Sequence, residues 1–253
     1  KSGTPSWINA GAAITASSER TGLPGSNVGT AQPGQLWRTA PGVTSASIHI
    51  DFGFAVSIES ICLGNTNLSA AGTRRVRLSA NADMSSPGYD SAVGLAGVDP
   101  VYRLSVLFLP AAVSRRHLQI DLSDGSLPYL EAGRLFAGAA FKPTYNFQYG
   151  IKRSHRSWGK RFPSESGNDY VLRGAMQRAV SFSLTAVTTA EWEASLEPML
   201  RLSGTEADVL VCLDPESANP GRDTYLGLLD EIPDYEMNFP GHGSVSFRLT
   251  HRI

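Results

Sequence analysis

The chain has 253 residues with 22 Lys and Arg against 23 Asp and Glu, a balance that excludes a mainly electrostatic hold on nucleic acid or on an anionic membrane. It is 42% hydrophobic and 18% charged with 25 Gly and 15 Pro, which excludes disorder and coiled coil and suits a β-rich globular protein of one large or two ordinary domains. No apolar run reaches the length of a membrane span, and Lys1 to Pro5 lack the apolar core of a signal peptide, so neither membrane insertion nor general secretion is expected.

The first half is a series of short alternating runs. Ile48, Ile50 and Phe52 alternate with His49 and Asp51, the period-two pattern of a strand with one face in a core. Val56 to Leu63 predicts a second strand with an irregularity near Glu59 and Ser60, and Val76 with Leu78 a third. Val101 to Leu109 is almost continuously apolar and predicts a buried strand ending at Pro110. Leu118, Ile120 and Leu122 predict another, and Arg134 to Phe141 closes the set. Strands at this spacing without a helical period argue for an antiparallel sandwich or jelly roll.

Between Phe141 and Tyr170 the pattern lapses. Tyr145, Phe147, Tyr149, Trp158 and Phe162 mix with Lys152, Arg153, Arg156, Lys160 and Arg161 without a period, and Ser164 to Asp169 reads as a polar turn. A boundary near residue 142 divides the chain into domains 1–141 and 142–253. The second resumes with a strand through Val180, Phe182 and Leu184, then a helix opened by the capping box Thr188-Thr189-Ala190-Glu191. Trp192, Leu196, Met199 and Leu200 share one face of that helix, Pro198 should kink it, and Gly204 ends it. Strands follow at Val209 to Leu213, Tyr225 to Ile232 and Ser244 to Thr250. The fold class is therefore all-β, an N-terminal jelly-roll sandwich followed by a second small β-sandwich with one helix.

Few residues point to chemistry. There is no nucleophile elbow, P-loop, zinc-protease helix or dinucleotide fingerprint. His49, His117, His155, His242 and His251 are scattered, and Cys62 and Cys212 sit in apolar runs without metal-ligand spacing, so no metal and no cofactor is expected. Many carboxylates occupy turn contexts such as Asp99-Pro100, Asp124-Gly125 and Asp214-Pro215, where Asp bonds nearby backbone N–H groups. A non-enzyme is expected over a glycan-depolymerising enzyme. Loop aromatics are the better lead. Trp37 with Arg38, and Tyr89, are candidate glycan contacts, since sugar sites stack an aromatic ring on the apolar side of a pyranose and bracket it with polar groups. A core role for Trp37 competes with this, and the residues leave both open.

The segments Ile14-Thr15-Ala16-Ser17-Ser18-Glu19, Leu36-Trp37-Arg38-Thr39 and Ile48-His49-Ile50-Asp51-Phe52-Gly53 resemble, in order, the opening of a discoidin (coagulation factor 5/8 type C) domain. Arg75 to Asn81 and Arg116 to Ile120 are similar to later strands of that family. The resemblance covers about the first 140 residues and implies a galactose-binding-like jelly roll whose end loops bind glycans or other surfaces. The second half resembles the β-sandwich of distal tail and related tail-tip proteins of long-tailed phages. Arg178 to Thr185, the Thr188 helix start, Val209 to Pro215, Tyr225-Leu226-Gly227 and Ser244 to Leu249 carry that likeness. It implies a structural part of a phage tail tip or baseplate, made in the host cytoplasm and carried on the virion. Its partners would be itself, as a homo-oligomeric ring, other tail and baseplate proteins, and cell-surface glycan. The alternative is a free-standing carbohydrate-binding protein, a lectin.

Overall fold

The first half is organised by two strands much longer than expected. In a computed structural model of the protein, which describes residues 2–3, 6–99 and 101–252, a single 20-residue strand Ser45–Gly64 spans the two runs that the sequence separates. Lys1, Thr4, Pro5 and the Pro100 of the Asp99-Pro100 turn lie outside the described residues. The partner strand Ser105–Ser123 passes through Pro110 instead of ending there. The two pair antiparallel, with irregularities between Asp51 and Val56 and between Ile58 and Ser60. Gly53, at φ 79°, lies in the first, where the left-handed backbone suits glycine. Pro110 lies opposite the second, in a stretch with no ladder partner on Ser45–Gly64, so its missing N–H costs no bond there.

Bent this way, the ribbon supplies both layers of the jelly roll. Ala13–Ala16 and Thr73–Ser79 flank its first part, and Arg134–Gly138 pairs with Ser60–Gly64. Ile48, Ile50, Val56, Ile58, Ile61 and Leu63 then share one core with Trp37, Leu118 and Leu135. The opposite side chains of the 60–64 run face elsewhere. Cys62, Val106 and Phe136 form a smaller core with Leu104, Leu210 and Leu226, and this core joins the two halves. The segments 59–64 and 134–138 are thus buried on both faces, so Ile61 to Leu63 and Leu135 to Ala137 show no polar alternation.

The second half supplies six strands of an eight-stranded sheet, which the helix covers. Val180, Phe182 and Leu184 pair across from Leu249, Phe247 and Val245, and these side chains pack under Leu196, Met199 and Leu200. The capping box is present, with Glu191 N–H on the Thr188 hydroxyl and Thr188 N–H on the Glu191 carboxylate. The kink expected at Pro198 takes the form of a π-helical turn, Trp192–Leu196, just before it; the wider turn accommodates a ring that cannot accept a normal helical approach. Ala140–Phe141 and Ser2–Gly3 join this second sheet through Val211, so both ends of the first sandwich feed into the second. The stretch without period contains a two-stranded ribbon. Lys152–Ser157 pairs with the start of Met176–Thr188, and Lys160–Pro163 with Asp169–Leu172, closing on the expected polar turn.

A buried ion pair crosses between the halves. Arg134 Nε donates to Asp208 Oδ2 at 2.7 Å, and Arg134 Nη1 to the carbonyls of Gly29 and Thr30 at 3.0 and 2.7 Å. Arg252 reaches the other Asp208 oxygen at 3.2 Å and the Ala31 carbonyl at 3.0 Å. Nearby, Arg178 donates to the carbonyls of Arg222 and Thr224 and lies over the rings of Tyr102 and Tyr225. His251 is buried with its Nδ1 accepting from Leu226 N–H; burial, with Arg178 nearby, brings its pKa down to about 3.

Asp208→Ala leaves the Arg134 guanidinium buried without its carboxylate and should lower stability by about 3–5 kcal/mol, read from urea midpoints. His251 is held neutral in the fold but takes a proton when unfolded, so below its ordinary pKa the unfolded state binds more protons and stability falls as pH drops. A melting temperature measured from pH 7 to pH 4.5 should therefore decline, and less steeply in His251→Asn, which retains an acceptor for Leu226 N–H.

Candidate functional site

At the loop end of the first sandwich, four separate segments converge. The short strand Trp37–Arg38 pairs with Glu131–Ala132, bringing together residues 93 positions apart. Arg38 Nε donates to Glu131 Oε2 at 2.9 Å while Arg38 Nη2 closes on the same oxygen, and the guanidinium sits 4.3 Å from the centre of the Tyr129 ring. The hydrogen bond to Glu131 raises the Arg38 pKa, so the cation is firmly charged. Asn67 clamps the 129–131 segment, its Nδ2 donating to the Tyr129 carbonyl at 2.9 Å and its Oδ1 accepting from Glu131 N–H at 2.8 Å.

Asn65 and Arg103 adjoin this clamp. Arg103 Nη1 donates to Asn65 Oδ1 at 3.2 Å, and Thr66 N–H to the Arg103 carbonyl at 3.1 Å. Both residues hold a left-handed backbone, with φ of 51° and 54°. Such strain costs about 1–3 kcal/mol per non-glycine residue, least for Asn, and persists where surrounding structure enforces it. Here the enforcement is visible: Asn65 Nδ2 donates to the Pro33 carbonyl, and that carbonyl lies 2.5 Å from where a side chain on Gly133 would begin. Arg38, Asn65, Asn67 and Tyr129 are half-buried and Arg103 is exposed. The cluster therefore offers guanidinium donors, amides and part of an aromatic ring to solvent, all fixed to a rigid frame. It has the parts needed to bracket a small polar ligand with one apolar face.

The three residues singled out in the sequence have different fates. Trp37 is 0% exposed, packed in the first core with its indole N–H on the Ser18 carbonyl, so it has no face to offer a sugar. The core role is the one it plays, because the strand pairing that exposes Arg38 turns its neighbour inward. Arg38 lies at the centre of the cluster. Tyr89 is placed apart from it: Tyr89 pairs with Leu78, toward the Ser79 end of Thr73–Ser79. It is half-buried against the core. Tyr129, Asn67, Asn65 and Arg103 had only weak signals in sequence, their Asn-rich and polar loop settings.

Other titratable groups are structural. Asp124 accepts from Ser69 N–H and from Ser126; burial alone would raise this carboxyl, but those hydrogen bonds outweigh it and bring it down to about 2. Asp99 and Asp214 likewise accept backbone N–H groups in their turns. His49 and His117 stack across neighbouring strands with ring centres 5.3 Å apart. Cys62 and Cys212 are buried without forming a disulfide, and burial pushes the Cys62 thiol up to about 12. No group of His, Cys, Asp or Glu among the described residues is placed to hold a metal ion, and no helix among them is long and apolar enough to cross a membrane.

Because Asn tolerates the left-handed backbone and Ala does not, Asn65→Ala should destabilise by about 1–2 kcal/mol beyond the loss of its hydrogen bonds, whereas Asn65→Gly should recover most of that difference. Chemical denaturation of the pair measures it.

No family model matches this chain, and no curated protein matches it. Solved structures do resemble it. The chitosan-binding module 1 derived from a chitosanase/glucanase of Paenibacillus sp. IK-5 is 16% identical, with 54% of this chain and 99% of that one covered and a TM-score of 0.42. The family 32 carbohydrate-binding module of NanJ from C. perfringens, solved with galactose, is 12% identical, covering 54% and 98%, with a TM-score of 0.43. The lectin domain of Lectinolysin, complexed with Lewis B antigen, is 13% identical over 53% and 96% of the two chains, again with a TM-score of 0.43. None of these three is a phage tail or baseplate protein, and at this level of likeness none assigns a ligand to this chain.

Proposed function

We propose that the first sandwich is a carbohydrate-binding module that acts without catalysis, holding a glycan at the Arg38, Tyr129, Asn67, Asn65 and Arg103 cluster. The observation that carries this is the cluster itself: a half-buried aromatic residue whose ring is braced by a guanidinium, on a segment clamped by the Asn67 amide and adjoined by the Asn65–Arg103 pair. Sugars present one apolar face and a rim of hydroxyls, and this arrangement meets both. The Tyr129 ring takes the apolar face, while Arg38, Arg103 and the amides take hydroxyls. The Arg38–Glu131 pair keeps the guanidinium from collapsing onto the ligand as a bare charge, which favours neutral sugars over acidic ones.

A second reading, a structural part of a phage tail tip on the virion, requires an assembly surface. The second half projects the ribbon of residues 152–176, whose side chains are almost all exposed. Such a projection serves assembly better than ligand capture. Immunogold labelling of particles from the source would place the protein at tail ends under this reading and leave tails bare otherwise.

Glycan-array screening followed by calorimetry on the full chain tests the first reading. Tyr129→Ala should weaken binding by tenfold or more, roughly 1.4 kcal/mol, with the melting temperature nearly unchanged. Trp37→Ala, by contrast, should lower stability by about 3–5 kcal/mol because it empties a core position. Binding that is indifferent to Tyr129 and Arg38 substitutions would place the glycan elsewhere.

A further inference from the structure

The ribbon differs in charge from the body that bears it. Residues 150–176 carry six Lys and Arg against two Asp and Glu, while residues 230–239 carry four Asp and Glu and no Lys or Arg. The ribbon also exposes Trp158, Phe162, Tyr170, Val171, Leu172 and Met176, with Tyr170 67% and Leu172 61% exposed. Phe162 sits opposite Tyr170 and Lys160 opposite Leu172, so these four share one face. An isolated two-stranded ribbon is marginal in water, and Phe162, Tyr170 and Leu172 leave an uncovered apolar face on this one. Both features call for a partner.

The acidic stretch has a matching incompleteness. Among the described residues Tyr235–Phe239 pairs only with His242–His251, which leaves its outer edge open. Ile232, Met237 and Phe239 are exposed along it, interleaved with Glu231, Asp234 and Glu236. Asp230 is held by Arg248 and Thr250, but among the described residues Glu231, Asp234 and Glu236 form no ion pair, nor do Lys152, Lys160 and Arg173 on the ribbon. Within one chain, strand pairing sets the acidic edge strand Tyr235–Phe239 apart from the tip of the ribbon. The acidic strand pairs beside His242 to Val245, while the ribbon leaves from the opposite end and opposite side of the Met176–Thr188 and His242–His251 pair. They occupy diagonal corners of one sheet.

We propose that the basic, apolar ribbon of one copy seats on the acidic edge strand Tyr235–Phe239 of a second copy, joining chains head to tail. Opposite charge selects the partner and sets the register, and the exposed apolar side chains of both surfaces are buried together. The interface is heterologous, so each chain keeps one free ribbon and one free edge until a ring closes or a filament grows. This assembly is independent of what the first sandwich binds.

Sedimentation velocity of the full chain over a concentration series, at low and high salt, tests the proposal. The wild type should self-associate, and association should weaken at least tenfold as salt rises. An edge variant, Glu231→Lys with Glu236→Lys, and a ribbon variant, Tyr170→Glu with Leu172→Glu, should each remain monomeric. Mixed, they should form a one-to-one dimer that grows no further, because the first retains an intact ribbon and the second an intact edge. A wild type monomeric throughout would overturn the proposal. So would an edge variant that associates like the wild type, or a mixture that stays monomeric. Should either variant melt early, Met237→Glu and Lys160→Glu on the same two surfaces provide the same readout.

Discussion

The arrangement of this protein depends on a carboxylate and a guanidinium buried between its halves. Arg134 lies in the last strand pairing with the long ribbon of the first sandwich, and Asp208 immediately precedes the first central strand of the second. Two charges out of water are tolerated only when their remaining hydrogen-bonding capacity is met. Here the Gly29 and Thr30 carbonyls take the N–H groups of Arg134 Nη1, and Arg252 takes the second carboxylate oxygen. The network therefore ties three distant parts of the chain to one point: the 29–31 loop, the seam between the sheets, and the C-terminal strand. Next to it, the shared apolar patch of Cys62, Phe136, Leu210 and Leu226 supplies area without direction. The ion network supplies the direction.

That point also sets the candidate site. The loop pinned at Gly29 to Ala31 continues over Gly133, where the Pro33 carbonyl leaves no room for a side chain, and then enters Trp37–Arg38. Arg38 is thereby delivered to Glu131 and Tyr129 from a fixed direction, with Trp37 anchoring the turn from beneath. A site built from loops is usually less exact than one built on strands. This one escapes that weakness because its loops are fastened at both ends, to the core by Trp37 and to the second half by the carbonyls on Arg134.

What was legible in the sequence follows from where burial is one-sided. Strands such as Ser45 to Phe52 and His242 to His251 have one wet face, and their alternation is plain. The continuity of Ser45–Gly64 was hidden because a bulge shifts the period at Asp51 to Val56, and Pro110 resembled a terminus although it falls where the ladder is already interrupted. The ribbon was invisible for the opposite reason: both its faces are exposed, so burial imposes no period on residues 160–172. In the site, Arg38 could be found because it adjoins a conspicuous aromatic, yet that aromatic proved to be core. Tyr129, Asn67 and Arg103 come together only through pairings across many residues, which no local pattern records.

The proposed glycan cluster and the proposed assembly surface would complement each other physically. The cluster offers one ring and a few donors, which by themselves support only modest affinity, since binding must first offset the lost freedom of the ligand. Chains joined ribbon to edge would carry one such cluster each, held at fixed spacing by the buried network that locks the two halves together. A polymer of sugars meeting several clusters at once gains affinity through effective concentration, without any single site becoming tight. Rigidity between the halves is what makes that gain available, because flexible tethering would spread the clusters over many spacings. The same buried pair that positions Arg38 within one chain would thus set the distance between sites in the assembly.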